Sequence, residues 1–424
     1  MQPRMQFLTI AFLLGLTAQG VENAPAVPRI DSIELDVPQP WKKNPDVIWY
    51  DDFDGDEATQ QAYHEYGSHH AENVRVEAER LGATGKSLRI HYPKGSQGIG
   101  GRKLTFGDCP FGPPLRKGEK FEELYWRIYV KHPANWTGGG PDKMSRCTSF
   151  SSGKWTQAMI GHVWSSGEAL TLDPASGIKD GRVVTTKYND FPNLKWLGNK
   201  PVSPFLLHSS DQAGRWVCVE AHVKLNTPGQ KDGIMRLWVD GLLQCDRKAL
   251  DWRGTYTEHG INAVFLEAYW NKGSLVEQSR WYDDFVVSTK PIGPLVASKH
   301  PVLRRTPYAG PEGSKPGAWE AQVAEKVEAA AEGAEQIFKR LPDEWGHQKG
   351  EDVWLRTVWS SKPMGAGLAA VSVSAENGSF SGALAKEAQL QAGGIYWVRC
   401  RQQDSRGLWS GWSDWHQPMR IASP

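Results

Sequence analysis

The chain has 424 residues, and its 49 Lys and Arg nearly balance its 48 Asp and Glu, which leaves a formal net charge of +1. This balance argues against a nucleic-acid-binding protein that works through a broad basic surface. The length favours two or three domains with enough material for sizeable hydrophobic cores. Gly is abundant at 44 residues, and Trp, at 20, outnumbers both Phe and Tyr. Many turn residues and few long apolar runs favour an all-β, exported protein.

The first 24 residues read as a signal peptide. Arg4 precedes an apolar run from Phe7 to Leu16, and the small residues Ala18 and Gly20 follow. No later stretch approaches the roughly 20 apolar residues that a membrane helix needs. We therefore expect a secreted or periplasmic protein, monomeric and without a membrane span. Residues 25–48 contain repeated prolines and are predicted to be an extended leader.

The five cysteines lack the spacing of a metal site or a redox motif, since no CxxC pair occurs. Their odd number leaves at least one thiol unpaired within the chain. One or two disulfides stay open, with Cys109 and Cys147 as a candidate pair. Cys218 and Cys400 lie in strand-like runs and are predicted to be buried free thiols.

A repeated pentapeptide marks the ends of the main domain. The sequence WYDDF at Trp49–Phe53 recurs at Trp281–Phe285, and strand-like alternation fills the interval. The ends of a sandwich domain commonly pair, so matched ends predict one closed unit over residues 49–293. Long strands with glycine-bearing turns predict a two-sheet antiparallel jelly roll, with a concave sheet that can hold a glycan chain.

Residues 294–316 have the proline-rich composition of a linker, and residues 317–424 are predicted to form a smaller β-sandwich-like domain. A helical insertion is expected between Trp319 and Phe338, where apolar residues recur at helical spacing in an Ala/Glu-rich background. Those positions are Val323, Val327, Ala330, Ala334 and Ile337.

The last 70 or so residues resemble a fibronectin type III module. Leu390, six residues before Tyr396, is similar to the tyrosine corner of that fold. Arg399 and Arg401 alternate onto one face beside WSGWS at Trp409–Ser413. This arrangement predicts a stack of Trp and Arg side chains held by cation–π contacts. Such a module would serve in binding or spacing.

A glycoside hydrolase needs two carboxylates facing each other across the glycosidic bond. The spacing Glu-x-Asp-x-x-Glu of jelly-roll glucanases does not occur in this sequence. Glu267 with Asp283 or Glu220 stays open as a pair that the fold could bring together.

A lyase that cleaves a uronate glycan by β-elimination needs other groups. It must neutralise the carboxylate, remove the C5 proton and protonate the leaving oxygen. Two strand-like segments, Gln157–Trp164 and Phe265–Asn271, carry His, Tyr, Glu and amide side chains at period two. Polar side chains on an otherwise apolar strand indicate a functional face.

Residues 49–293 resemble the concanavalin-like superfamily, and these segments are similar in order to the jelly-roll alginate lyases. The resemblance implies Arg146 as the carboxylate-binding Arg, His162 as the His and Tyr269 as the final catalytic Tyr. Asn271 stands in the place of that family's terminal Gln, while Glu267 stands where a small residue is expected. A related lyase group with a Lys near a Gly-rich loop implies Lys143.

A segment over residues 172–200, rich in Lys and aromatic residues, completes the predicted site. Tyr188 is an alternative to His162 as the base that takes the proton, and Tyr269 would protonate the leaving oxygen. The predicted substrate-binding residues are Gln157, Asn189, Glu267, Asn271, Lys143, Lys187, Trp164 and Trp196.

Paired aspartates in the two WYDDF repeats suggest a structural Ca²⁺, because hard carboxylate oxygens suit this ion in exported proteins. The predicted ligands are Asp51, Asp52, Asp283 and Asp284. Ordinary turn and capping roles are the alternative reading of these residues.

The sequence thus predicts a secreted polysaccharide lyase that acts on an acidic, uronate-containing glycan. The alternatives are a noncatalytic, lectin-like carbohydrate-binding protein and a glycoside hydrolase on the same fold. An acidic polysaccharide is the expected partner, and nucleic acid is not.

Overall fold

The structure is a computed structural model that describes residues 24–55, 63–64, 73–76, 78–82, 84–138, 142–198, 200–343 and 346–423. The predicted signal peptide, apart from its last residue, lies outside the described residues. Regular structure is almost entirely β, as predicted. Within the described ranges no helix reaches seven residues. There are short 3-10 turns at Pro40–Lys43, Phe191–Asn193 and Gly382–Leu384.

The first seventeen strands cover the leader and the main domain. They are β1 (Ile30–Glu34), β2 (Val47–Asp51), β3 (Asn73–Val76), β4 (Ser87–Tyr92), β5 (Arg102–Thr105), β6 (Glu123–Lys131), β7 (Asp142–Phe150), β8 (Gln157–Ser166), β9 (Ala169–Ser176), β10 (Ile178–Lys179), β11 (Arg182–Val183), β12 (Lys195–Trp196), β13 (Trp216–Lys224), β14 (Gly233–Val239), β15 (Leu242–Leu250), β16 (Ala263–Trp270) and β17 (Gln278–Ser288).

Twelve strands follow in the remainder of the chain. They are β18 (Val296–Ala297), β19 (Val302–Arg305), β20 (Pro316–Val327), β21 (Glu335–Phe338), β22 (Leu341–Pro342), β23 (Gln348–Lys349), β24 (Val353–Ser361), β25 (Met364–Gly365), β26 (Ala370–Ser372), β27 (Gly378–Phe380), β28 (Ile395–Asp404) and β29 (His416–Ile421).

Two antiparallel sheets form the predicted jelly roll. The site sheet has six strands in the order β12-β9-β8-β7-β16-β5. The larger sheet has ten strands in the order β22-β23-β15-β14-β13-β6-β17-β4-β3, with β2 also on β17. Apolar side chains of alternate positions, such as Val264 on β16 and Val219 on β13, meet in one core between the sheets. The opposite face of the site sheet carries polar side chains such as Arg146 and His162 together with apolar clusters.

The matched ends of the main domain pair as expected. Strand β2 runs antiparallel to β17, with Phe285 opposite Asp51 and Val287 opposite Trp49. The two copies of WYDDF are therefore neighbours in the larger sheet, which closes the unit predicted from the repeat.

A second sandwich packs an eight-stranded sheet, built on β20, β24, β28 and β29, against the three-stranded sheet β1-β19-β26. Ile30 and Ile33 of the leader and Leu303 of the proline-rich segment are buried in its core. Both segments are thus integrated into the second sandwich. The domain boundaries themselves stay a prediction.

The predicted helical insertion is wrong. Residues 316–327 form strand β20, where Trp319, Ala321 and Val323 point inward and are fully buried while Glu320 and Gln322 are partly exposed. This period-two alternation competes with the helical spacing, and pairing with β24 and β28 on both sides decides for the strand. Turns and the short strand β21 follow.

The predicted Trp–Arg stack is confirmed. Arg399 lies between the rings of Trp412 and Trp415, at 5.1 and 4.2 Å from their centroids. Arg401 lies between Trp409 and Trp412, at 4.5 and 4.6 Å. Five side chains, two from β28 and three from the segment after it, therefore form one ladder. The fibronectin type III identity of this unit stays a prediction.

All five cysteines are buried and free, so the candidate Cys109–Cys147 disulfide is wrong. Cys147 lies in the core between the sheets, whereas Cys109 lies in an aromatic cluster with Phe150 and Phe265 on the other face of the site sheet. Cys218 and Cys400 are buried thiols as predicted.

Candidate active site

Five side chains form an in-register row across the outer face of the site sheet. Lys103 on β5 lies opposite Phe265 on β16, which lies opposite Arg146 on β7. Arg146 in turn lies opposite His162 on β8, and His162 lies opposite Asp173 on β9. Residues directly opposite each other in antiparallel strands share one face of the sheet. The sequence thus places two cations, a histidine and a carboxylate on one surface.

Arg146 is the centre of this surface. Its Nε lies 2.7 Å from Oε1 of Glu267, and its Nη1 donates to Oδ1 of Asn189 at 3.0 Å. The same Nη1 lies 3.5 Å from Nε2 of His162. The predicted residues Arg146, His162, Glu267 and Asn189 are therefore brought together by three strands and one loop.

The loop that follows β11 covers the guanidinium. The rings of Tyr188 and Phe265 each lie 4.8 Å from Cζ of Arg146. Asn189 has φ of +51°, a left-handed conformation that Asn tolerates better than most residues. Its backbone N–H donates to Oε1 of Gln157 at 2.8 Å, and Nε2 of Gln157 donates to Oγ1 of Thr148. Gln157 is buried, and both ends of its amide are used to hold the loop on the sheet.

Lys143 and Tyr269 form the second half of the site, nearer the end of the sheet. The ammonium of Lys143 lies 4.6 Å from the ring centroid of Tyr269 and 5.2 Å from that of Trp164. A bulge in β16 between Leu266 and Tyr269 sets this geometry. Tyr269 is partly exposed and Lys143 is buried.

Arg280 of β17 supports the bulge from the core side. Its Nη2 donates to the backbone oxygens of Lys143 and Glu267 at 2.9 and 2.8 Å. Its Nη1 is paired with Asp142 at 2.7 Å. Burial raises the pKa of Asp142 to about 6, although the guanidinium acts in the opposite direction. Arg280, which belongs to the larger sheet, therefore links β7 and β16, the two strands of the site sheet that carry Lys143 and Glu267.

Burial governs the protonation states of the site. It lowers the pKa of His162 well below its usual value, and the nearby cations Arg146 and Lys143 act in the same direction, so the imidazole is neutral at pH 7. Burial also lowers the pKa of Lys143, against the attraction of Glu267. Burial raises the pKa of Asp173 to about 6, opposed by Arg247 and Lys143.

Three buried donors of the site lack a hydrogen-bond partner among the described residues. They are Nη2 of Arg146, Nδ1 of His162 and Nε1 of Trp164. Because Arg146 can only donate, Nε2 of His162 faces it as the acceptor and Nδ1 carries the proton. Buried donors normally find an acceptor, so this cluster suits a ligand that supplies oxygen atoms.

Other predicted residues lie at the margin. Asn271 directly follows the end of β16 and is exposed. Lys187 is exposed on the covering loop. Trp196 on β12 is 39% exposed, and its ring stacks at 6.4 Å on that of His162. The sequence missed Lys103 and Asp173, which only the pairing register places in this row.

The candidate hydrolase pairs do not form. Glu220 lies on β13 of the larger sheet, where it accepts the backbone N–H groups of Ile292 and Gly293. Asp283 lies on β17 of the same sheet. Glu267 and Asp173 share the site face but lie three strands apart, about 14 Å at the backbone for a strand spacing of about 4.8 Å. Hydrolases hold their carboxylates at most about 9.5 Å apart.

The four predicted calcium ligands have other contacts. Asp51 accepts from the backbone of Phe53 and from Tyr63, and Asp52 pairs with Lys42. Asp283 accepts the backbone N–H groups of Leu81 and Asp284. Asp284 pairs with Arg127. In the described part of the chain, no three His, Cys, Asp or Glu residues group as metal ligands. Each of the four carboxylates thus has a partner within the protein, and the Ca²⁺ site stays a prediction.

Within the described ranges, no helix has the length and apolar character to cross a bilayer.

Comparison with known proteins gives no match to a family model and none to a curated protein. Among solved structures, the chain is similar to the marine PL-14 alginate lyase from Aplysia kurodai, at 15% identity over 57% of this chain and 99% of that one, with a TM-score of 0.39.

Two further solved structures have similar values. The endo-beta-1,4-glucuronan lyase from the fungus Trichoderma reesei is 13% identical over 57% of this chain and 96% of that one, with a TM-score of 0.39. An alginate lyase from a Chlorella virus is 14% identical over 57% and 100%, with a TM-score of 0.39.

Proposed function

We propose that the protein is a polysaccharide lyase that cleaves an acidic, uronate-containing glycan by β-elimination. The observation that carries this proposal is the cluster of unpartnered buried donors, Nη2 of Arg146 and Nδ1 of His162, beside the ammonium of Lys143 and the phenol of Tyr269. Donors and cations suit a carboxylate, and a phenol can move a proton.

The cationic centre makes the C5 proton acidic. A uronate carboxylate that accepts from Arg146 and His162, close to Lys143, has its negative charge balanced. Removing the C5 proton then builds a second negative charge on the carboxylate oxygens, which the same donors stabilise. Asn189 keeps the guanidinium in place through Oδ1.

Two tyrosines at the surface of the cluster move the protons. Nε2 of His162 faces Arg146, which leaves Tyr188 as the better-placed base. Tyr188, as phenolate, takes the C5 proton, and the electron pair of that C–H bond forms the C4–C5 double bond. The C4–O bond breaks, and Tyr269 protonates the leaving oxygen. The Lys143 ammonium then stabilises the Tyr269 phenolate.

The experiment is incubation of the purified protein with alginate, polyglucuronate, hyaluronan and heparosan, while ultraviolet absorbance and new reducing ends are both followed. The proposal expects absorbance of the unsaturated product with at least one glycan. Reducing ends without absorbance would establish hydrolysis. A glycan that is bound but not cut would establish a lectin, a reading that the exposed rings of Trp196 and Phe191 favour.

Three other features are proposed on the sequence alone. We propose that the protein is exported, as the N-terminal sequence indicates. We also propose that the second sandwich is a fibronectin type III-like module for binding or spacing. A structural Ca²⁺ near the ends of the main domain is the third, and mass spectrometry of the native protein before and after chelation tests it.

A further inference from the structure

Arg280 crosses the core from the larger sheet to the site sheet. It lies on β17 opposite Ile90 of β4, and Ile90 belongs to the core between the sheets, so both side chains point into that core. The guanidinium is fully buried, and its Nη1 lies 2.7 Å from the carboxylate of Asp142 on β7. The rings of Tyr92 and Tyr282 lie 5.4 and 4.9 Å from its Cζ. These contacts fix the direction in which the guanidinium points.

Two other buried arginines of the larger sheet provide a comparison. Arg127 on β6 pairs with Asp284 on β17. Arg215, directly before β13, pairs with Asp240, directly after β14, at 2.8 Å. Each of these arginines has its acidic partner in or beside its own sheet. Arg280 differs from both because its acidic partner belongs to the site sheet.

The bulge in β16 explains why a donor is needed at this point. Between Leu266 and Tyr269, the pairing of β16 with β7 shifts by one residue. A bulge takes backbone groups out of the ladder, and buried carbonyl oxygens need donors from elsewhere. Nη2 of Arg280 donates to the backbone oxygen of Glu267 at 2.8 Å and to that of Lys143 at 2.9 Å. One nitrogen therefore ties both strands together at the bulge.

The two residues held in this way belong to different halves of the candidate site. The carboxylate of Glu267 lies 2.7 Å from Nε of Arg146, the group proposed to bind the uronate carboxylate. The ammonium of Lys143 lies 4.6 Å from the ring centroid of Tyr269, the proposed proton donor. A misplacement of about 1 Å in such a site can cost about a hundredfold in rate. The backbone contacts of Arg280 thus bear on the distance between the two halves.

We infer that Arg280 is a positioning residue that sets the distance between Arg146 and Tyr269 by holding the backbone of the bulge. The inference rests on the proposed function, whose site it serves. Stability alone is a weak reason for a buried ion pair, since apolar replacement of both partners often costs nothing. Because Arg280 is fully buried and acts through backbone oxygens, its loss should affect proton transfer more than binding of the glycan.

The test is a double-mutant cycle in steady-state kinetics of the full chain. Arg280→Met combined with Asp142→Asn removes the guanidinium without leaving a buried carboxylate unpaired. This neutral pair should lower kcat by about 10- to 100-fold and change KM by less than about threefold. In the background of Tyr269→Phe, the same pair should lower kcat by less than about threefold. Without the Tyr269 hydroxyl, the distance between the two halves no longer limits proton transfer.

The matched control removes a comparable buried pair from the larger sheet. Arg215→Met combined with Asp240→Asn should change kcat by less than about threefold in both backgrounds, whatever it does to stability. Arg280→Lys is the second variant if the neutral pair folds poorly. It keeps a charge for Asp142, but one ammonium cannot replace the guanidinium fork, so kcat should still fall by about tenfold or more.

A measurement without substrate separates this inference from the lyase function. With 3-fluorotyrosine at position 269, the fluorine resonance reports on the ring that faces the Lys143 ammonium. Substitution of Arg280 and Asp142 should shift or broaden that resonance, and substitution of Arg215 and Asp240 should not.

Three results overturn the inference: full kcat in the neutral pair, an equal loss of kcat with and without the Tyr269 hydroxyl, or an unmoved fluorine resonance. Absence of unsaturated product from the unmutated protein overturns the lyase function instead. In that case a moved resonance still supports the positioning role of Arg280.

Discussion

At the scale of single residues, the sequence identified much of the site but not its contacts. Arg146, His162 and Glu267 were named from strand alternation and from a family resemblance, and they do meet around one guanidinium. Lys103 and Asp173 were missed because their place depends on which strands are neighbours and in which register. Alternation within one strand carries no such information. Asn271 directly follows the last residue of β16, Trp270, so alternation along the strand does not fix the direction of its side chain.

Asn189 gives a prediction at this scale. Asn189→Ala removes the side-chain oxygen that accepts from Arg146. It also places alanine at a φ of +51°, a left-handed conformation that alanine tolerates less well than asparagine. A hydrogen bond to a charged group is worth about 1.5–3 kcal/mol, so its loss should lower kcat/KM by roughly 10- to 150-fold. Asn189→Gly, which relaxes the backbone but also lacks the acceptor, should lose nearly as much. Full activity of both variants in steady-state kinetics would show that Asn189 does not position Arg146.

At the scale of elements, period-two alternation was a better guide than helical spacing. The helix expected over 319–338 rested on five apolar positions, two of which, Ala330 and Ala334, lie in turns after β20. Trp319 and Ala321 both face inward at period two, which indicates a strand. Pairing with β24 on one edge and β28 on the other stabilises that strand. The strand pair β2 and β17 was predictable because the repeated WYDDF marks both strands.

The Arg–Trp ladder of β28 gives a prediction for an element. Arg399→Ala removes contacts to two Trp rings, each worth about 0.5–2 kcal/mol. We expect the free energy of unfolding in urea to fall by roughly 1–3 kcal/mol. Lys386→Ala, at an exposed position of the same unit, should change it by less than about 0.5 kcal/mol. Equal stability of the two variants would mean that the ladder does not stabilise the fold.

At the scale of the whole molecule, the two sandwiches are joined through shared strands and buried contacts. Strands β22 and β23 of the later part of the chain extend the larger sheet beyond β15. Nε1 of Trp397 donates to the backbone oxygen of Asp240 at 2.9 Å, and Leu242 packs in a cluster with Trp397 and Leu355. Composition alone predicted a linker between domains, because it cannot show that this segment contributes strands to the second core.

His416 ties β29 to the leader strand and gives a pH prediction. Its Nε2 accepts the backbone N–H of Ile30 at 2.8 Å, and its Nδ1 donates to the backbone oxygen of Asp414 at 2.7 Å. Burial, assisted by the charge of Arg215, lowers the pKa of His416 to about 3 from its usual 6.5. Between these two pH values the unfolded chain therefore binds one more proton than the folded chain. The free energy of unfolding consequently decreases as the pH falls below 6.5.

The measurement is the free energy of unfolding by urea between pH 6 and pH 4. His416→Gln should reduce the dependence on pH by about 1.4 kcal/mol per pH unit, whatever its effect at pH 7. His300→Gln, at an exposed position, should leave the slope as it is. An unchanged slope in His416→Gln would mean that the pKa of His416 is not lowered in the folded protein.

The most direct test of the proposed lyase is the rate at which unsaturated product forms in the unmutated protein and in Tyr269→Phe, on the glycan that the unmutated protein cleaves fastest. Loss of a proton-transfer group should lower kcat by about 10²–10⁴-fold. Tyr308→Phe, whose hydroxyl contacts Ser314 in the second unit, should retain the full rate. Unsaturated product from Tyr269→Phe at the rate of the unmutated protein would contradict the assignment of this site.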